Sequence, residues 1–250
     1  MTSFVRGLLP LTALAALTTA MPATAQDDLI ARSRAAYAAL RSYADSGAVM
    51  VETGVPGAPP AVERHTFSTR FRSPRHFYFE FRKGSSSSSS AGAGSGGERL
   101  AIWCDGGDFQ SWWSATGVHE IYSGGRGVSA FTSAVYPTAG AATHIPPFLF
   151  PAAEMHGPLV DIKDVRVVAT EDVNGRRTQK VSGVVQSHFG AARPTTIWID
   201  AGTLLVVKLV EDTPIGSPAG HLERITTTFE PQVNPVLDDS RFQFAVPPGR

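Results

Sequence analysis

The chain has 250 residues, 22 Lys and Arg against 22 Asp and Glu, and a single cysteine. That neutral balance argues against the broad basic patch that non-specific nucleic-acid binding needs. It also argues against permanent docking on anionic lipid headgroups. One cysteine, Cys104, allows no intramolecular disulfide, so stability must come from packing.

Arg6 is the only charge in the first 26 residues. The apolar run 7–17 follows it and has the length of a signal-peptide core, too short for the ~20 residues that span a bilayer. Ala23-Thr24-Ala25 supplies the small-x-small pattern of a cleavage site. Residues 1–25 are therefore predicted to be a signal peptide cleaved near Ala25, with residues 26–250 as one periplasmic domain. No cysteine follows the apolar run to be acylated before Cys104. Removing residues 1–25 from 250 leaves 225, enough for a real core.

The spacing of Leu29, Ala36, Tyr37, Leu40 and Tyr43 predicts a helix over 28–43. Alternation then takes over. Val49 and Val51 share one strand face, and so do His65, Phe67, Thr69 and Phe71 on the next strand. Phe77, Phe79 and Phe81 repeat the period of two. One apolar and one polar face per strand suits an antiparallel sheet. The Ser/Gly/Ala tract at 84–97 reads as a flexible hairpin loop.

Strands are expected at 100–104, 109–113 and 118–122. Val128, Phe131 and Val135 then suit a short helix that Pro137 ends. The apolar, proline-rich stretch 145–151 predicts one or two helical turns lying over something apolar. Strands return at 164–173 and 176–185, flanking the hairpin signal Asn174-Gly175. Further strands are expected at 194–200, 204–211, 221–229 and 241–244. The count is about ten or eleven strands, giving a β-dominated α+β class.

Four segments carry a family resemblance. They are Ser73-Pro74-Arg75-His76-Phe77-Tyr78-Phe79-Glu80, the hairpin around Asp105-Gly106, the turn after Trp198-Ile199-Asp200, and the closing Phe242-Gln243-Phe244 with Pro247-Pro248-Gly249. In order, they resemble the LolA/LolB-like periplasmic lipoprotein-carrier superfamily. The resemblance implies an incomplete antiparallel β-barrel closed by an N-terminal helix and a short helical lid. It also implies an arginine latch, for which Arg72 is the candidate, although Ser73 separates it from Pro74. The Ser/Gly tract is a departure from the family pattern.

A sheet with one apolar face must bury it, and one helix with a short lid leaves room for an acyl chain. The expected cavity lining is Phe67, Phe71, Phe77, Phe79, Phe81, Trp103, Ile197, Ile199, Phe229 and Phe242. The expected lid is Val128, Phe131, Val135, Phe148, Leu149 and Phe150. The function expected is a monomeric carrier of lipid or lipoprotein acyl chains. Its partners would be a lipid or lipidated protein and proteins of the inner or outer membrane, with no nucleic acid. The alternative is a lipid sensor of the same superfamily that passes its state to a partner protein.

Enzymatic signatures are missing from the sequence. The seven histidines show no H-x-x-x-H or H-E-x-x-H spacing, and there is no G-x-S-x-G elbow. Gly124-Gly125-Arg126-Gly127 lacks the lysine of a phosphate loop. No catalytic residue, metal or cofactor is expected.

Overall fold

The computed structural model describes residues 23–55, 57–86, 97–124, 126–186, 192–214 and 222–248. The expected signal sequence, save its last three residues, lies outside them, as does the loop reading at 87–96. Among the described residues, no helix is long and apolar enough to cross a membrane.

Helix α1 (Ala23–Ala38) leads into a twelve-stranded antiparallel sheet. Strands β1 (Ser42–Gly54), β2 (Ala61–Arg72), β3 (His76–Ser86), β4 (Arg99–Asp105), β5 (Phe109–Trp113) and β6 (Val118–Tyr122) follow one another as neighbours. The second series is β7 (Ile162–Val173), β8 (Arg176–Gln186), β9 (Ala192–Asp200), β10 (Val206–Pro214) and β11 (Leu222–Phe229). It runs back from the far edge until β11 pairs with β1. A two-residue strand, β12 (Gln232–Val233), also pairs with β1. The edges β6 and β7 do not meet, so the sheet is an open half-barrel.

This order fixes the path of the middle segment. Residues 123–161 leave one edge strand and enter the other, so they must cross the sheet. They do so as α2 (Val128–Ser133), a 3-10 turn at Ala141–Thr143, α3 (Pro146–Leu149) and α4 (Pro158–Asp161). With α1 they cover the inner face.

Register explains which side chains point inward. Phe71 pairs with Phe77, Phe67 with Phe81, Phe77 with Cys104 and Phe79 with Ile102. All of these belong to one core with Leu29, Tyr37, Ile197, Leu209 and Phe229. Leu29, Ser33 and Tyr37 recur every four residues, which presents one face of α1 to that core. Gly47 is held open by its neighbour: a Cβ there would lie 2.1 Å from the Phe67 ring. The Asn174-Gly175 turn has φ of 51° and 75°, the pair of positive values that a tight hairpin turn requires.

The outer face carries a second, smaller cluster of Tyr78, Ala101, Trp103, Trp112 and Phe242. The C-terminal segment supplies its cover, with Leu237, Phe244 and Val246 packed against it. Asn234 ties that segment down by accepting from the backbone N–H of Arg41 at 2.8 Å and of Ser42 at 3.2 Å.

Three expectations are corrected. The helix ends at Ala38, and Tyr43 pairs with Phe71 in β1. Tyr43 points inward from the strand as it would have from a helix, so its spacing could not decide between them. The strand expected at 241–244 is a 3-10 turn at Asp239–Phe242, capped where Asp238 accepts from the Ser240 N–H. β3 continues to Ser86, into the tract read as a loop from residue 84.

Candidate functional site

A cavity of about 750 Å³ opens at one end of the half-barrel. Its walls come from four places: Tyr37 in the last turn of α1 with Leu40 just beyond it, Phe71 and the 73–75 turn, Phe109 on β5, and residues of the crossing segment between Gly127 and Met155. The end of α1, the β2–β3 turn and residues 149–155 of the insertion meet there. Gly127 allows the insertion to approach β5 closely, since a Cβ there would lie 2.5 Å from the Phe109 ring.

Phe150 organises the wall. Its ring centroid lies 5.2 Å from Phe71, 5.5 Å from Phe77 and 5.6 Å from Phe109, each close to edge-on. Phe131 adds a contact to Phe77 at 5.1 Å. Such pairs contribute about 0.5–1.5 kcal/mol beyond area burial. They join the crossing segment to the sheet without filling the space beside them. Phe150 is only partly buried and faces the cavity.

The predicted lining separates into three groups. Phe71 borders the cavity. Phe67, Phe77, Phe79, Phe81, Ile197, Ile199 and Phe229 lie in the same core but are buried by their neighbours. Trp103 and Phe242 sit on the outer face, which corrects their place in the set. Trp103 pairs with Tyr78 across the β3–β4 ladder, and Tyr78 points opposite to Phe77 and Phe79.

Of the predicted lid, Val128, Phe131, Leu149 and Phe150 border the cavity. Phe148 is packed against Tyr37 at 5.2 Å, away from it. Val135 is half-buried beyond the helix and does not line it.

Arg72 does not latch the lid. It donates to the Leu237 carbonyl at 3.1 Å, pairs with Asp239 and lies 5.2 Å from the Phe242 ring. All three partners belong to the C-terminal segment on the outer face. The crossing segment is met instead by Arg34 of α1. It donates to the Val160 carbonyl and stands 5.9 Å from the Phe148 ring.

Two buried polar groups support the inner face. Beneath α1, the Tyr43 hydroxyl donates to Asp45 at 2.8 Å, and the Thr69 N–H donates to the same carboxylate at 2.9 Å. Tyr37 accepts from the Val206 N–H at 3.1 Å. Burial pushes the Asp45 carboxyl up to about 6 and raises both tyrosines well above their usual range. Elsewhere on the inner face, His144 of the insertion lies 3.3 Å from Glu211 of β10, and Arg193 of β9 lies 3.5 Å from that carboxylate. No spacing motif could have shown this pair, which is separated by 67 residues. Cys104 is buried, and burial raises its thiol.

Among the described residues, those lining the site do not assemble a nucleophile, base and orienting group. No group of three or more His, Cys, Asp or Glu among the described residues could hold a metal ion. The arrangement is suited to sheltering an apolar ligand.

No protein-family model matches the chain, and no curated protein matches it. Among solved structures, the chain is similar to lipoprotein LppX of Mycobacterium tuberculosis, at 16% identity and a TM-score of 0.45. That match covers 87% of this chain and 99% of LppX. It is similar to a LolA superfamily protein of Nitrosomonas europaea at 7% identity and a TM-score of 0.31, covering 88% of this chain and 97% of the other. It is also similar to MucB of Pseudomonas aeruginosa in its complex with MucA, at 14% identity and a TM-score of 0.40. There the match covers 88% of this chain and 61% of MucB.

Proposed function

We propose that the protein is a periplasmic binding protein that holds an acyl chain of a lipid or lipidated protein in the cavity beneath α2 and α3. One observation carries the reading: a 750 Å³ space walled by Leu40, Phe71, Phe109, Phe131, Leu149 and Phe150. That volume lies within the ~300–1,000 Å³ of small-molecule sites. Each CH₂ moved there from water contributes about 0.8 kcal/mol. The wall is more apolar than polar, so apolar contact would supply most of the affinity. Export to the periplasm is supported by the apolar run 7–17 and Ala23-Thr24-Ala25.

Native mass spectrometry of the exported, processed protein, purified without detergent, tests the reading. A bound mass that extracts as a lipid or a lipidated peptide supports it. A clean apo mass with no uptake of an added fatty-acyl probe rules it out.

A further inference from the structure

The cavity has a capacity and a charged rim, and both bear on its ligand. An enclosed site of about 150 Å³ holds benzene, with its six carbons. On that scale, 750 Å³ holds roughly thirty carbon-sized atoms. That is room for one long acyl chain with a compact head. The neighbouring inner face cannot supply more room. Phe67, Phe79, Phe229 and Ile197 are buried there against one another, and Phe148 lies over Tyr37.

Among the described residues that line it, Arg75 is the cation and Glu154 the carboxylate, and both are exposed at the rim. Arg75 follows Pro74 in the β2–β3 turn and is oriented by its Nη2, which donates to the Gly107 carbonyl at 3.1 Å. A guanidinium has five N–H donors in a planar fork, so this one bond leaves most of them available. No ion pair among the described residues uses Arg75. A fork of this kind suits a carboxylate or phosphate, with two parallel charge-assisted bonds.

We propose that this site takes single-chain amphiphiles with an anionic head, the chain lying along Phe71, Phe109 and Phe150 and the head meeting Arg75. The inference rests on the acyl-binding reading above. Glu154 opposes an anion at the same rim and so sets a limit on head-group charge.

Titration of the processed protein with four probes tests it: palmitate, palmitoyl-lysophosphatidate, hexadecanol and dipalmitoyl phosphatidate. Palmitate and the lysophosphatidate should bind more tightly than hexadecanol and than the two-chain lipid. Whichever of the two is tighter identifies a carboxylate or a phosphate head. Arg75→Gln should weaken palmitate about tenfold, as expected for loss of a charge-assisted hydrogen bond. Hexadecanol binding should not change, and Glu154→Gln should tighten palmitate. Two-chain lipid binding as tightly as palmitate, or hexadecanol matching it in the unsubstituted protein, overturns the inference while leaving acyl binding intact. Failure of all four probes removes acyl binding itself, and this inference with it.

Discussion

Arg34 of α1 donates to the carbonyl oxygen of Val160 in α4, the last turn of the insertion before it enters the sheet. The same guanidinium lies 3.5 Å from the Leu159 carbonyl and 5.9 Å from the Phe148 ring. It therefore joins the two elements that cover the inner face. A charge-assisted bond of this kind contributes about 1.5–3 kcal/mol when sheltered, and less here because Arg34 is exposed. Arg34→Gln is expected to cost about 1 kcal/mol. It should speed amide exchange at residues 159–161 and raise the release rate of an acyl probe, leaving β2–β4 protected. Stopped-flow release and hydrogen exchange measure this; unchanged release would mean that Arg34 does not hold the lid.

Asp45 makes stability depend on pH. Burial raises its carboxyl to about 6, against 3.8 when unperturbed, despite the bonds from Thr69 and Tyr43 that favour the ionised form. The folded protein thus holds this proton more tightly than the unfolded chain. The resulting stabilisation is fully present below about pH 3.8 and is lost as pH rises through about 6. Its size is on the order of 3 kcal/mol. Asp45→Asn keeps an acceptor for the Thr69 N–H and removes the titration. Relative to the unsubstituted protein, the variant should gain stability from about pH 4 to about pH 6 and level off above it. Parallel thermal melts across that range would exclude a role for Asp45.

Strand alternation made much of the inner face legible. Phe67, Phe71, Phe77, Phe79 and Phe81 lie on strands whose other faces are more polar, so period two assigned them one side. The run 100–104 carries no such signal, because all five residues are buried and both faces are covered. Only the register shows that Ile102 joins Phe79 inside while Trp103 joins Tyr78 outside. Phe242 was illegible for a related reason: an aromatic two residues from another aromatic suits a strand, yet here it anchors a segment crossing the outer face. Helix α1 and its approach contain Arg32, Arg34 and Arg41, and nothing in their spacing selects the one that meets the insertion. The cavity itself depends on where a 39-residue crossing (123–161) comes to rest, which is set by edge-to-edge topology.

Phe148 and Phe150 should respond differently to the same substitution. Phe148 is buried against Tyr37 and away from the cavity, whereas Phe150 borders it and is partly open. Phe148→Ala should lower stability by about 3 kcal/mol or more, with binding reduced only through unfolding. Phe150→Ala should cost less stability and weaken an acyl probe at temperatures where both variants remain folded. Urea unfolding and probe titration separate the two effects. Equal ratios of lost binding to lost stability would mean that Phe150 is ordinary core.

The contact between His144 and Glu211 should act as a tie between the insertion and the sheet. Both are almost fully buried, with Nε2 and Oε2 3.3 Å apart. The alignment is too poor for a hydrogen bond, so His144 gains proximity to charge without full satisfaction. Arg193, one-third exposed, lies 3.5 Å from the other carboxylate oxygen. Removing one member of a buried polar pair leaves its partner unmatched, at a cost of about 1–3 kcal/mol, whereas replacing both by apolar groups can be nearly neutral. Glu211→Leu alone should therefore be strongly destabilising, because Arg193 can turn to solvent but His144 cannot. Adding His144→Leu should recover much of the loss. A double-mutant cycle in urea reads this directly: additive losses would show that the two groups do not interact, and that apolar packing alone, chiefly His144 against Phe229 at 6.2 Å, holds this part of the insertion.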